Sequence, residues 1–192
     1  VCIQTGTTTE LNLADFFRLN GISYEALPIE TNDEGKENLF AGRCDVYTTD
    51  ASGLSSTRAA AANPNKWVVL PEIISKEPLG PLVRHGDHQW GDVVRWSLNA
   101  MIIAEELGVT SENVDAQKSS NVPEVLRLLG VEGSYGEMLE LAPDWAYQII
   151  KQIGNYSESY EANVGPDTPL EIARGLNALW TQGGILYAPP FR

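Results

Sequence analysis

The residues of this chain best suited to holding an anion are the run Gly6-Thr7-Thr8-Thr9-Glu10. Thr7 and Glu10 have the spacing of a capping box, so Thr7 is expected to cap a helix and Glu10 to reach back to the cap amide. The start of a helix offers unpaired N–H groups and a partial positive charge, and the hydroxyls of Thr8 and Thr9 add donors beside them. No lysine of the phosphate-loop kind stands in the turn, so a carboxylate suits it better than a nucleotide triphosphate. The plainer alternative is an ordinary capped helix.

A second signal is Thr48-Thr49-Asp50. A carboxylate there, at the same edge as an anion-binding helix start, is what an α-ammonium group requires. The plainer alternative is that Asp50 caps the helix that follows it. Together, Thr7, Thr8, Thr9 and Asp50 describe a site for a zwitterion, one end taking a carboxylate and the other an ammonium.

Other reactive residues read more plainly. Cys2 and Cys44 both fall in short apolar runs. Either they are buried free thiols or, if their strands are neighbours, they bridge, which implies an oxidising compartment. Two cysteines do not make a zinc site, and Arg84-His85-Gly86-Asp87-His88 reads as a solvated turn; no metal and no cofactor is expected. No Ser-His-Asp or Cys-His set can be assembled, because both histidines lie together. Trp90, Trp96, Trp145 and Trp180 sit at helical spacings and read as core.

Positioning these residues needs alternating strands and helices. The patterns predict strands at 1–4, 23–29, 44–48 and 67–70, with helices at 8–20, 33–41 and 50–62 between them. Strands separated by helices favour a parallel sheet, and such sheets bind ligands beyond the C-terminal ends of their strands. Thr7–Thr9 and Asp50 fall at such ends. Prolines 78 and 81 around Gly80 mark a crossing. Beyond His88 the chain reads as helical: 89–107, short helices near Val114 and from Pro123, 144–153, and a last helix from Thr168-Pro169 to Trp180. These helices carry apolar stripes with almost no strands to bury them, so unless they pack on the first lobe, on each other or on a second molecule, a partner surface is missing.

The 192 residues are 43% hydrophobic and 20% charged, with a formal net charge of -13. That is a globular composition, and the acidity excludes a nucleic-acid footprint. No run of roughly 18 apolar residues exists to span a membrane. The opening Val1-Cys2-Ile3 begins inside an apparent strand, which suggests a fragment or a processed chain.

Four stretches carry a family resemblance: 1–12, Gly42-Arg43-Cys44-Asp45-Val46-Tyr47-Thr48-Thr49-Asp50, 71–81, and Ala173-Arg174-Gly175-Leu176-Asn177-Ala178-Leu179-Trp180. Trp145-Ala146-Tyr147, Gly154-Asn155-Tyr156 and Ala188-Pro189-Pro190 stand in register with them. The chain resembles the general L-amino-acid-binding periplasmic proteins of bacterial ABC importers. The resemblance implies an α/β fold: a parallel-sheet lobe of the periplasmic-binding-protein kind over 1–74, a hinge crossing at 75–84, and a largely helical part of the other lobe at 85–192. It also implies that a Thr at the position of Thr8 binds the ligand carboxylate, with Thr9 alongside, and that an Asp at the position of Asp50 binds the α-ammonium. Family members carry a further stretch before the position of Val1, so an N-terminally truncated chain is expected.

The implied function is solute binding for an amino-acid importer in the periplasm, with a free L-amino acid (broad, or polar and charged) as ligand, a membrane permease as partner and no chemistry performed. Two alternatives stand beside it. One is a small-acid dehydratase on the same fold, with Glu72 or Glu77 as the acid or base. The other is a non-binding fragment that self-associates through exposed helices.

Overall fold

The computed structural model describes residues 1–191. It divides into two units, Val1–Leu79 with Pro169–Ile172, and Gly80–Thr168 with residues 173–191.

In the first unit the opening apolar run forms β1 (Cys2–Gln4), followed by α1 (Thr8–Leu19), β2 (Leu27–Ile29), α2 (Asn32–Phe40), β3 (Tyr47–Thr48) and α3 (Ala51–Ala59). The sheet is parallel, in the order β2-β1-β3. Cys2 and Ile3 of β1 face Leu27 and Pro28 on one side and Tyr47 and Thr48 on the other. β1 is the central strand, and its Cys2 and Ile3 are apolar and buried. Cys2, Ile29, Cys44 and Tyr47 form a small core, and Leu27, Leu39 and Leu54 pack around it. A disulfide joins Cys2 to Cys44, with Cα atoms 5.7 Å apart.

Helix α2 lies on this core through Gly35. A Cβ at that position would come within 2.6 Å of Ile29 Cδ1 and 2.7 Å of Tyr47 Cε2. The Tyr47 hydroxyl donates to Asn32 Oδ1 at 2.8 Å, tying the first turn of α2 to β3.

Strand pairing is shorter than the apolar runs suggest. Only Leu27–Ile29 of the run 23–29 pairs, because β1 offers just three residues to pair with. The strand expected at 67–70 does not form: Val68 and Leu70 are exposed, and no strand among the described residues lies beside them. Trp67 packs instead against Phe40, with ring centroids 5.1 Å apart.

The second unit holds α4 (His88–Glu106), α5 (Val114–Gln117), α6 (Pro123–Leu128), α7 (Trp145–Ile153) and α8 (Tyr156–Asn163). Of the partners open to the apolar stripes of these helices, the structure shows one: they bury against one another. Ile102, Ile103, Val125, Leu128, Trp145, Ala146 and Ile150 join one core with Val109, Val114 and Leu179. Phe191 plugs it from the far end of the chain, beside Trp96, Tyr135 and Trp145 at centroid distances of 5.3, 5.7 and 6.0 Å. Of the tryptophans read as core, Trp145 is buried, whereas Trp90 and Trp180 remain half exposed.

Helix α8 begins with a full capping box. Asn155 accepts from the Glu158 amide, and the Glu158 carboxylate accepts from the Asn155 amide. Glu158 also accepts from the amide and hydroxyl of Ser111, so one carboxylate ties α8 to the loop after α4. Arg174 reaches Glu105 on α4 at 3.0 Å, and both side chains are largely buried.

The last helix expected from Thr168-Pro169 to Trp180 is absent. Glu171 at φ 52 and Gly175 at φ 48 stand in the left-handed region, which breaks a right-handed helix twice within five residues. Short 3-10 turns at Gly175–Asn177 and Trp180–Gln182 replace it. Within the first unit, Glu171 Oε2 accepts from Arg58 at the end of α3 at 2.6 Å.

Candidate functional site

The parallel order puts the C-terminal ends of β1 and β3 side by side, about 4.8 Å apart. Beyond β1 the chain turns through Gly6, whose φ of +72 suits glycine, and enters α1 with Thr7 as the cap. Thr7 is fully committed: its hydroxyl donates to Gln4 O at 2.7 Å and accepts from the Glu10 amide at 3.3 Å. The Glu10 carboxylate accepts from Gly6 N at 2.8 Å, one residue before the cap amide it was expected to reach. Gly6 presents its N–H to Glu10, and the amide of Thr7 is left over.

What remains free is the part facing outward. The amides of Thr7, Thr8 and Thr9 and the hydroxyls of Thr8 and Thr9 have no acceptor or donor partner among the described residues. Three successive amides at the start of a twelve-residue helix, with two hydroxyls, are the kind of surface that suits an anion. Thr7 offers its amide, and Thr8 and Thr9 offer both groups.

Asp50 stands at the head of α3, next to this surface by strand order. It occupies the cap position yet makes no side-chain capping hydrogen bond. Its Oδ1 accepts from Thr49 Oγ1 at 3.1 Å and its Oδ2 from Ser52 Oγ at 3.0 Å. Partial burial pushes the carboxyl upward. Its own amide, the hydroxyls of Ser52 and Thr49 and the pull of the Gly53 amide outweigh that and hold it below the usual carboxylate range. Asp50 is therefore ionised at neutral pH, where an α-amino group is protonated. The neighbouring Tyr47 phenol is pushed upward, first by burial and further by the Asp50 charge, so it stays neutral.

The structure brings Thr7, Thr8, Thr9 and Asp50 to one sheet edge, while the Cys2–Cys44 bridge joins the first residue of β1 to the segment that leads into β3. Sequence reasoning passed over Ser52 and Gly53, two and three residues past the aspartate. It also passed over Thr31 and Glu34, which repeat after β2 the arrangement of Thr7 and Glu10: Glu34 N donates to Thr31 Oγ1, and Glu30 N donates to the Glu34 carboxylate. The T-x-x-E spacing was visible at both places.

Elsewhere in the molecule the geometry is less suited to a ligand. Both histidines line a shallow cleft of about 250 Å³ with Arg84 and Arg95, but Asp87 caps α4 and Asp92 pairs with Arg95. Among the described residues no group of three or more His, Cys, Asp or Glu is placed to hold a metal ion. Glu77, a candidate acid or base, is exposed and accepts a hydrogen bond from the nearby Ser75 hydroxyl.

No protein-family model matches the chain. It is 55% identical over 193 residues to the glutamate/glutamine/aspartate/asparagine-binding protein of Rhodobacter capsulatus, covering all of this chain and 57% of that protein. It is 55% identical over 194 residues to the general L-amino acid-binding periplasmic protein of Rhizobium johnstonii, with the same coverage. It is 54% identical over 194 residues to a putative amino-acid ABC transporter-binding protein of Escherichia coli, so the chain is homologous along its whole length to amino-acid-binding proteins of ABC transporters. An ABC transporter periplasmic binding protein from Brucella ovis, solved with glutathione bound, superposes with a TM-score of 0.93 at 52% identity. That match covers all of this chain and 60% of the solved one, and it shows the α/β fold of a periplasmic binding protein. The chain thus spans a little over half the length of the relatives it matches.

Proposed function

We propose that this chain supplies one wall of the amino-acid-binding cleft in the solute-binding component of an ABC importer, acting in the periplasm and delivering its ligand to a membrane permease. The observation that carries the reading is the pairing at one sheet edge. Unpartnered amides and hydroxyls at Thr8 and Thr9 stand one strand away from an ionised Asp50. Only a ligand bearing a carboxylate and an ammonium close together satisfies both. Every α-amino acid does so, whatever its side chain, which agrees with the broad ligand range in the relatives' names.

Glutathione fits the same chemistry. Its γ-glutamyl end carries a free α-carboxylate and α-ammonium, so the site that holds a glutamate head holds that end as well. Polar and charged L-amino acids are the proposed ligand class, with side-chain selection left to surfaces outside this edge.

Calorimetry on the intact protein with aspartate, asparagine, glutamate, glutamine and glutathione tests the reading. Asp50→Asn removes the charge that meets the ammonium, and Thr8→Val removes one donor to the carboxylate. A hydrogen bond to a charged group is worth about 1.5–3 kcal/mol, so Asp50→Asn is expected to weaken binding roughly 10- to 150-fold. Absence of binding to all five ligands, or an unchanged affinity in Asp50→Asn, refutes it.

A further inference from the structure

An aspartate at the head of a helix ordinarily turns its carboxylate onto the amides of the first turn. Asp50 does not, although it stands at that position. Thr49 Oγ1 holds one oxygen and Ser52 Oγ the other, at 3.1 and 3.0 Å. Gly53 leaves the space for this arrangement: a Cβ there would lie 3.1 Å from Thr49 Cγ2 and 3.6 Å from Asp50 Oδ2. A carboxylate accepts about four hydrogen bonds, so two hydroxyls fix its orientation and leave capacity for an ammonium.

We propose that Thr49 and Ser52 are positioning residues of the amino-acid site, clamping the two oxygens of Asp50 so that its carboxylate is held in one orientation for the α-ammonium. The proposal rests on the reading in which Asp50 receives that ammonium. Neither hydroxyl needs to touch the ligand. The clamp acts by restricting the rotamers of Asp50, and the same two donors favour the charged form. Tyr47 is the neighbouring titratable group that senses the Asp50 charge.

The test compares two probes on the intact protein, L-glutamine and its des-amino counterpart 4-carbamoylbutanoate, by calorimetry and competition. Thr49→Val and Ser52→Ala are each expected to weaken glutamine roughly threefold to tenfold, the range for losing one ordinary hydrogen bond, while leaving the des-amino acid unchanged. Thr49→Ser is expected to restore binding. Ser52 is exposed, so Ser52→Ala preserves the fold and keeps the test available if Thr49→Val does not express. Equal loss of both probes means that the hydroxyls serve only the local structure, and unchanged glutamine affinity means that they serve nothing here; either result overturns the proposal. Asp50→Asn separates the two levels. If it weakens glutamine while the hydroxyl variants do not, only the clamp is wrong; if it has no effect, the reading beneath it is wrong as well.

Discussion

Reducing the Cys2–Cys44 bond should cost the first unit a large share of its stability and leave the second almost untouched. The bond closes a loop between residues 42 apart in sequence. In the chain-entropy account, a loop of that length restricts the unfolded state by about 4 kcal/mol at room temperature. The native sheet has little to set against this, since its strands pair over three residues on one side of β1 and two on the other. A unit of this size is stable by roughly 4–12 kcal/mol in all, so the bond accounts for a third or more of it. The chain has two cysteines, so a thiol reductant acts at one place. Urea unfolding with and without reductant measures the loss, and alkylation followed by intact mass confirms that both thiols are free. Hydrogen exchange assigns it, through the amides of Cys2 and Leu27 in one unit and the core helices α4 and α7 in the other. If the alkylated protein unfolds within 0.5 kcal/mol of the oxidised form, or if α4 loses protection as much as β1, the reasoning is wrong.

Gly35→Ala should destabilise the first unit by about 1–3 kcal/mol, because the new methyl overlaps both Ile29 and Tyr47; an unchanged urea midpoint would contradict the packing described for α2. Arg174→Met should destabilise the second unit by about 3–5 kcal/mol by leaving the buried Glu105 carboxylate without its cation, and adding Glu105→Gln should recover part of the loss. The folded-state pKa of Asp50 is depressed, so its contribution to stability is complete above the ordinary value of 3.8 and drains away as pH falls through the lower folded value. Amino-acid affinity should follow the same limb. A side-chain NMR titration that places Asp50 at or above 3.8 would remove the basis for this.

Much of the site was legible because it depends on local rules. A glycine turn, a threonine cap and a glutamate three residues later specify a helix start wherever they occur, and the threonine pair before Asp50 follows the end of a short apolar run. The orientation of Asp50 was not legible, since it depends on a hydroxyl two residues on and on the absence of a side chain at Gly53. The strand expected at 67–70 failed for another reason: its apolar run was real, but a strand needs a neighbour and the described sheet offers none. The run from Thr168 to Trp180 had a good helix start but contains Glu171 and Gly175 in left-handed conformation, which propensity alone does not forecast for a glutamate. Conversely, α8 was passed over although Asn155 and Glu158 carry its capping box. The apolar stripes of the second segment were read correctly as stripes. That they face one another could not be seen without the turns that fold α6, α7 and α8 back onto α4.

The hydrogen bond from Arg58 to Glu171 has a consequence for vectorial synthesis. The two residues are 113 positions apart, so α3 leaves the ribosome long before the carboxylate that meets its last turn. At about 5–20 residues per second that interval is roughly 6–23 s. During it the growing chain holds the sheet, its three helices and the Asp50 edge, with one guanidinium still waiting for its carboxylate. Residues 80–168 of the second unit are synthesised in the same interval, ahead of the returning segment Pro169–Ile172. The first unit is thus finished only after those residues, and a chain cut between residues 79 and 80 would never finish it.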